Sequence, residues 1–182
     1  IHIGAVQASD IADGETVVGS NNFLMAGAHV AHNCVVGNDV IIANGAMLGG
    51  HAEVQDRALI SGNCLVHQFC RVGTLAMMQG GAAISQDLPP FTVVHNVNEL
   101  CGLNVVGLRR AGLTADERLE LKRLYRALFR GGKNLREAAA AAQATFTGAP
   151  AKVMLEFITG TRRGVCSDSN AGGPAEPPDE PT

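Results

Sequence analysis

The stretch VAHNCVVGNDVIIANGAMLGGHAEV, residues 30–54, decides the fold, because an aliphatic residue returns in it at every sixth position. The spacing extends in both directions to give twelve consecutive positions, all aliphatic or Met: Val18, Leu24, Val30, Val36, Ile42, Leu48, Val54, Ile60, Val66, Val72, Met78 and Ile84. Two residues before each, from Val30 onward, the side chain is small: Ala28, Cys34, Val40, Ala46, Ala52, Ala58, Cys64, Cys70, Ala76 and Ala82. One large and one small inward residue per hexad predict a parallel β-helix over residues 18–89, with about four coils of 18 residues.

Two further residue types fit this repeat. Glycines follow several of the aliphatic positions and are predicted to turn the backbone between faces; they are Gly19, Gly37, Gly49 and Gly73. Cys34, Cys64 and Cys70 fall on the small inward positions, which predicts core filler rather than reactive thiols. The five cysteines form no C-x-x-C pair, and an odd count does not favour a disulfide framework, so we expect a reducing, cytoplasmic location.

Because each predicted coil has 18 residues, positions that differ by about 18 or 36 lie above one another. Four of the six histidines occupy nearby positions in successive coils and therefore fall on one edge of the predicted β-helix. They are His29, His32, His51 and His67, and all lie at outward positions. Three interpretations remain open at this point: a metal site, a catalytic base with its helper, or solvated surface histidines. Four histidines on one edge favour a functional site. One face of such a β-helix is flat, so a cleft requires a second wall, which a trimer would provide.

The remaining sequence divides into four further segments. Residues 1–17 are predicted to be an irregular lead-in loop, 90–106 a connector after Pro89-Pro90, and 107–163 a helical domain. Within that domain a capping box, Thr114 to Glu117, starts the first of three predicted helices. Residues 164–182 are rich in Pro, Gly and acidic residues, which predicts a disordered tail. No apolar run reaches the roughly 18 residues that a membrane span needs, so we expect a soluble protein.

Charge is distributed unevenly along the chain. Counting Lys and Arg against Asp and Glu gives −6 for residues 1–106, +7 for 107–163 and −4 for 164–182. Several cations of the first helix lie off its leucine stripe: Lys122, Arg123, Arg126 and Arg130. They form either a solvated face or a docking surface for an acidic protein. Nucleic acid is not favoured as the partner, because the sequence has no interleaved aromatic residues and no zinc-finger or helix-turn-helix pattern.

Several segments in order resemble one known family. They are LMAGAHVAHNCVVGNDVIIANGAMLGGHAEV, LVHQFCRVG, SQDLPPF and GLNVVGLRRAGLT, and together they extend over about residues 15–163. They are similar to acyl-(acyl carrier protein)–UDP-N-acetylglucosamine O-acyltransferases. The resemblance implies a left-handed β-helix with a C-terminal helical domain, assembled as a homotrimer.

The resemblance also implies an activity. Such enzymes transfer a 3-hydroxyacyl chain from acyl carrier protein to the 3-hydroxyl of UDP-N-acetylglucosamine, the first step of lipid A and lipopolysaccharide biosynthesis. The acyl donor carries its own phosphopantetheine, so no cofactor or metal is expected. Acyl carrier proteins are strongly acidic, which would give the +7 block a partner.

The resemblance assigns roles to individual residues. His32 is implied as the general base, since imidazole suits proton abstraction from a sugar hydroxyl near neutral pH. The Gly50 N–H is implied to stabilise the oxyanion. His29 is implied as a further residue of the catalytic site, which contacts the sugar nucleotide or the acyl donor. His51, His67 and Gln68 are implied to contact the sugar nucleotide or the acyl donor. Asn104 and Arg110 are implied to hold the uridine diphosphate. Gly80 is implied to form the floor of the acyl pocket.

This sequence departs from the family pattern at three positions. Asn33 stands where many members have Asp, which predicts a weaker base. Val106 and Ala111 stand where some members have Glu and Arg, which predicts a lower nucleotide affinity. The chain also opens, without Met, well inside the family's motif. We therefore expect a fragment or a truncated gene product.

Rival functions remain. A zinc-dependent hydratase on the same fold would use histidines such as His29, His32 and His51 as ligands shared across a trimer. A trimerising β-helix fragment without activity is another alternative. A nearer relative is the N-acyltransferase that acts later in the same pathway, although the GLNVVGLRRAGLT stretch followed by helices favours the O-acyltransferase.

Overall fold

Short strands separated by corners build the N-terminal part of the protein. The computed structural model describes residues 2–3 and 14–168. The thirteen strands of this part each span two residues: β1 His2–Ile3, β2 Val17–Val18, β3 Phe23–Leu24, β4 His29–Val30, β5 Val35–Val36, β6 Ile41–Ile42, β7 Met47–Leu48, β8 Glu53–Val54, β9 Leu59–Ile60, β10 Leu65–Val66, β11 Arg71–Val72, β12 Met77–Met78 and β13 Ala83–Ile84. They stack in parallel on three faces, which we call face A (β1-β4-β7-β10-β13), face B (β2-β5-β8-β11) and face C (β3-β6-β9-β12).

The pairing between successive coils follows a constant register. Val30 pairs with Leu48, and Leu48 pairs with Val66, an offset of 18 residues at each step. The exception is β1, where Ile3 pairs with Val30. Residues 2–3 thus form a strand, so the prediction of an irregular loop over 1–17 is wrong there; residues 1 and 4–13 lie outside the described residues.

The core of the β-helix consists of the two predicted columns. The aliphatic positions from Val30 to Ile84 are at most 3% exposed, and so is every small position between Ala28 and Ala82. Burying one such aliphatic side chain contributes about 1.5–3 kcal/mol relative to leaving it in water. Cys34, Cys64 and Cys70 are fully buried among them, as predicted. The predicted fold class, a parallel β-helix followed by a small helical domain, is confirmed.

The corners are built differently from the prediction. The left-handed backbone conformation falls three residues after the aliphatic position, usually on a residue other than glycine, as at Asn33 (φ 59°) and His51 (φ 59°). The predicted glycines serve another purpose: they allow neighbouring coils to approach. A Cβ on Gly49 would lie 2.7 Å from the Gln68 backbone nitrogen, and one on Gly73 would lie 2.4 Å from the nitrogen of Pro90.

The segment 90–106 is not an irregular connector. It contains β14 Thr92–His95 and β15 Glu99–Leu103, an antiparallel hairpin. Strand β14 pairs in parallel with β12, so the hairpin continues face C and covers an edge that would otherwise expose unpaired backbone groups.

Four helices follow the hairpin in the described chain, one more than predicted. They are α1 Val105–Arg110, α2 Ala115–Phe129, α3 Leu135–Ala142 and α4 Ala149–Thr159. The predicted capping box of α2 is present, with the Thr114 hydroxyl accepting from the Glu117 N–H at 3.2 Å and the Glu117 carboxylate accepting from the Thr114 N–H at 2.8 Å. Leu121, Leu124 and Leu128 pack in a second hydrophobic core with α1, α3 and α4. Among the described residues, no helix is long and apolar enough to span a bilayer.

A buried carboxylate joins the β-helix to the helical domain. Asp87, which is 1% exposed, accepts from the Arg71 backbone N–H at 2.9 Å, from Arg71 Nε at 3.1 Å and from the Thr161 hydroxyl at 2.8 Å. The same Arg71 guanidinium lies 4.1 Å from the centre of the Phe157 ring of α4. The carboxylate and guanidinium thus satisfy each other where the two hydrophobic cores meet.

A second buried carboxylate overturns part of the prediction for residues 164–182. Strand β16, Ser167–Asp168, pairs with β15, and Asp168 accepts from the Tyr125 hydroxyl at 2.7 Å and from Arg130 Nε at 2.8 Å. Residues 164–168 are therefore ordered, because pairing with β15 and this ion pair outweigh their polar composition. The prediction for residues 169–182 lies outside the described residues.

The buried thiols make stability depend on pH in the alkaline range. Burial raises the pKa of Cys166 to about 12, against about 8.5 for an exposed thiol. Between these values the unfolded chain has lost a proton that the folded chain keeps, so the free energy of unfolding falls as pH rises, by up to about 1.4 kcal/mol per pH unit. Urea unfolding under reducing conditions from pH 8 to 10.5 should show a shallower decline for Cys166→Ala than for the parent. Identical slopes would contradict this assignment.

Candidate functional site

His32 lies on the corner between β4 and β5, where its ring is held by a side chain of the same corner. Its Nδ1 is 2.8 Å from Oδ1 of Asn33. A carbonyl oxygen only accepts, so Nδ1 donates this hydrogen bond, and in the neutral ring the lone pair then lies on Nε2. The left-handed conformation of Asn33 and the hydrogen bond from its backbone N–H to the Thr16 hydroxyl, at 2.9 Å, fix the amide. The corner therefore fixes the orientation of the His32 ring through Nδ1 and leaves Nε2 as the nitrogen that can act as a base.

Gly50 lies one coil away from His32, against its ring. A Cβ on Gly50 would lie 2.7 Å from both Nε2 and Cε1 of His32, closer than any real contact, so only glycine leaves space for this ring position. The Gly50 carbonyl accepts from the Phe69 N–H at 3.0 Å. Its own N–H has no acceptor within residues 2–3 and 14–168. An available backbone donor and an available imidazole nitrogen thus lie side by side.

Aromatic rings extend this corner along the coil stack. The His51 ring contacts His32 edge to face, with centroids 5.3 Å apart, and stacks on Phe69 at 4.6 Å. His51 and Phe69 occupy the same left-handed corner position as Asn33, one and two coils further along. The side chains of His51, Gln68 and Phe69 are exposed, so they are available to a ligand beside His32.

His29 and His67 lie on the adjoining face A. Both line a shallow pocket of about 450 Å³ with the apolar side chains of Met47 and Leu65. His67 Nδ1 is 3.2 Å from the Gln68 carbonyl and 3.5 Å from Nη2 of Arg163. The sequence did not point to Arg163, because its contact with His67 spans 96 residues and leaves no local pattern.

Asn104 and Arg110 lie on a different side of the chain. They line a pocket of about 650 Å³ between face C and α1. Asn104 caps α1, its Oδ1 accepting from the Gly107 N–H at 2.9 Å while its Nδ2 donates to the Leu75 carbonyl at 2.9 Å. Gly80 lies on the corner between faces C and A, where a Cβ would approach nothing closer than 3.7 Å. One chain thus gathers the histidines around one edge but holds Asn104 and Arg110 apart from them.

The predicted docking cations do not form one uniform surface. Lys122, Arg126 and Arg130 line a pocket of about 420 Å³ against β15, whereas Arg123 is exposed outside it. Arg130 also forms the ion pair with Asp168, so it has a structural role. Arg118 lines the same pocket and extends the row of cations by one helical turn. The sequence could have revealed it, because Arg118 lies four residues before Lys122, the same spacing that separates Lys122 from Arg126.

The metal-site interpretation concerns the same histidines. Within the part of the chain that the structure describes, there is no group of three or more His, Cys, Asp or Glu side chains placed to hold a metal ion.

The contact between Asn33 and His32 makes a spectroscopic prediction. In the parent protein the neutral His32 ring should carry its proton on Nδ1, because that nitrogen faces a carbonyl oxygen. Asn33→Ala removes the acceptor and should shift the population towards the Nε2–H tautomer. Imidazole ¹⁵N chemical shifts distinguish the two forms, with His95 as an internal reference. An Nε2–H tautomer in the parent protein would show that Asn33 does not orient the ring.

Comparisons with known proteins agree with this architecture. The family model described as bacterial transferase hexapeptide (six repeats) matches residues 15–50, and the one described as Udp N-acetylglucosamine O-acyltransferase, domain 2, matches residues 87–166. A solved UDP-N-acetylglucosamine acyltransferase from Francisella novicida is 35% identical with a TM-score of 0.79, over 85% of this chain and 57% of that one. The corresponding Arabidopsis structure is 36% identical with a TM-score of 0.78, over 83% of this chain and 57% of that one.

Curated relatives carry the same name. The acyl-(acyl-carrier-protein)–UDP-N-acetylglucosamine O-acyltransferase of Burkholderia orbicola is 42% identical over 171 residues, which are 91% of this chain and 64% of the relative. That of Alkalilimnicola ehrlichii is 48% identical over 128 residues, 70% of this chain and 50% of the relative. The chain thus spans between half and two thirds of the length of these relatives. Over that span, in both its β-helix and its helical domain, it belongs to the UDP-N-acetylglucosamine O-acyltransferase family.

Proposed function

We propose that this chain transfers a 3-hydroxyacyl group from acyl carrier protein to the 3-hydroxyl of UDP-N-acetylglucosamine, the first step of lipid A biosynthesis. The names of its relatives state the donor and the acceptor. The observation that carries the proposal is the corner at His32, where Asn33 orients the ring and Gly50 makes room for it. A hydroxyl acceptor needs a base, and a thioester donor needs an oxyanion site, and this corner offers both.

The proposed reaction uses these two groups in sequence. Nε2 of His32 removes the proton of the sugar hydroxyl while its oxygen attacks the thioester carbonyl carbon. The negative charge that develops on the carbonyl oxygen is stabilised by the Gly50 N–H, a preorganised donor that needs no reorganisation. The tetrahedral intermediate then expels the phosphopantetheine thiolate, which receives the proton from Nε2. The base is regenerated and no proton is lost or gained overall.

No covalent acyl-enzyme is required in this scheme. Burial raises the pKa of Cys34, Cys64 and Cys70, to about 11 for Cys70, so these thiols are poor nucleophiles near neutral pH. The thioester itself supplies the activated acyl group, so we propose that the reaction proceeds without a cofactor. A cytoplasmic location, where the donor is synthesised and thiols stay reduced, fits the proposal.

We further propose a homotrimer, because one chain separates the implied site residues. His32 lies at the edge between faces A and B, whereas Arg110 lines the pocket beside face C. A second copy could place its face C pocket opposite the histidine edge of the first. Large apolar side chains that are exposed on the faces of the single chain support such packing; they are Phe23, Val35, Met47 and Leu65.

The cations of α2 are the proposed docking surface for acyl carrier protein. Lys122 and Arg126 line the pocket against β15, next to Arg118. Such a row of cations would raise the rate at which an acidic carrier protein associates and would fix the orientation in which it docks. Arg130 contributes less directly, because Asp168 already neutralises it.

Substituting His32 tests the proposed reaction. His32→Ala should lower the turnover number about 10²–10⁴-fold, because a positioned base is lost. The assay measures transfer from acyl-(acyl carrier protein) to UDP-N-acetylglucosamine, with an amino-sugar acceptor as a second substrate to separate O- from N-acylation. His95→Ala, which changes a histidine on β14 away from the edge, is the matched control.

Two results would overturn the assignment of His32. One is a His32→Ala variant that has the same turnover number as the parent and the same mass in analytical ultracentrifugation. The other is stoichiometric zinc in the purified protein that disappears in the same variant, which would instead favour a metal-dependent hydratase. Absence of turnover in the parent chain with an intact trimer would favour the inactive fragment.

Gly50 provides an independent test of the same corner. In Gly50→Ala the new Cβ would collide with the His32 ring, so the ring must leave its position. We expect turnover to fall about 10²–10³-fold, the usual effect of disturbing an oxyanion site. Gly62→Ala is the matched control, since its Cβ would meet the Asn44 carbonyl at an ordinary 3.4 Å. Equal activities of the two variants would contradict the proposed geometry.

A further inference from the structure

Two arginines from different parts of the fold line the pocket of about 650 Å³ between face C and α1. Arg57 comes from the corner between β8 and β9, and Arg110 from the last turn of α1. No Asp or Glu is among the described residues that line this pocket. The volume lies within the range of small-molecule sites, about 300–1,000 Å³.

Neither guanidinium is neutralised within the protein as described. Among residues 2–3 and 14–168, no hydrogen bond, ion pair or ring contact involves the side chain of Arg57 or Arg110. Two like charges that share one partly apolar pocket repel each other, and an anion between them removes that repulsion and adds attraction to both. The pocket is therefore suited to an anionic ligand.

The backbone holds Arg57 next to a residue of the same pocket. Arg57 has a left-handed conformation, φ 59°, and its N–H donates to the Asn38 carbonyl at 2.9 Å. Leu75 occupies the same corner position one coil further along, about 4.8 Å away. The Leu75 carbonyl accepts from Nδ2 of Asn104 at 2.9 Å. Arg57 and Asn104 therefore flank the same corner residue, and both line the pocket between face C and α1.

We propose that Arg57 is a further substrate-binding residue, which pairs with Arg110 across this pocket to hold the diphosphate of a nucleoside diphosphate. A planar guanidinium forms two parallel hydrogen bonds to a phosphate, whereas the ammonium group of a lysine acts only as a point charge. The apolar side chains of Leu59, Met77 and Val106 on the pocket wall suit the base and ribose. This inference rests on the proposed function for the identity of the nucleotide.

The test is the affinity for uridine diphosphate, measured by isothermal titration calorimetry on the 182-residue chain. Arg57→Asn is the preferred variant, because asparagine adopts the same left-handed conformation at Asn21, Asn33 and Asn63. We expect about tenfold weaker binding, the usual effect of losing one charged hydrogen-bonding group. Affinity for uridine, which has no phosphate, should not change. Arg109→Ala removes an exposed charge of α1 outside the pocket and should alter the affinity by less than about twofold.

Several outcomes would overturn this inference. They are unaltered diphosphate affinity in Arg57→Asn, equal losses in Arg57→Asn and Arg109→Ala, or no binding by the parent chain. Turnover measured on the same preparations separates it from the proposed function. An active parent whose UDP-N-acetylglucosamine KM is insensitive to Arg57→Asn refutes only the role of Arg57. Diphosphate binding that depends on Arg57, in a chain without acyl transfer, refutes the proposed reaction and supports the pocket.

Discussion

The constant offset of 18 residues between paired strands is the constraint on which the rest of the structure depends. Parallel pairing of Val30 with Leu48 and of Leu48 with Val66 fixes the inward columns, and the same register stacks the corners. Gly50 meets the ring of His32 only because they occupy the same slot in successive coils. A shift by one residue would turn the aliphatic column outward and separate these two residues, so the core that stabilises the fold also selects the site geometry.

The sequence predicted those parts of the fold that repeat locally. Periodic residues such as Val36 and Ile60 are buried as expected, because each coil presents the same environment to the next. The corners were less predictable, because the left-handed conformation at His51, Arg57 and Phe69 is imposed by the coil geometry and not by the residue type. Tertiary context there overrides the usual preference for glycine or asparagine. Gly49 and Gly73 are needed instead for close approach, which depends on a neighbour 17 or more residues away.

Non-local pairing explains the predictions that failed. The hairpin of β14 and β15 follows Pro89-Pro90, which suggests irregular structure locally, but β12 offers β14 a free edge. Asp168 lies in a polar segment and becomes ordered through Arg130 and Tyr125, 38 and 43 residues earlier. Likewise, Arg57 and Asn104 line one pocket because coil stacking places Arg57 next to Leu75, whose carbonyl accepts from the side chain of Asn104. Such contacts depend on the completed fold, so composition and periodicity do not reveal them.

The chemistry of the proposed site follows from how charge is placed around a neutral base. Asn33 orients His32 without contributing a negative charge, so it stabilises the imidazolium formed during proton transfer less than a carboxylate would. The remaining electrostatic stabilisation must come from groups that bind the developing or existing negative charges. In the proposed reaction the Gly50 N–H does so at the thioester oxygen, and in the proposed nucleotide site the arginines of the face C pocket do so at the diphosphate, remote from the reacting atoms. Binding energy at the diphosphate assists the reaction only if it fixes the sugar hydroxyl against Nε2. In the proposed homotrimer, the packing of one chain's face C pocket against the histidine edge of the next chain connects the two ends of such a substrate.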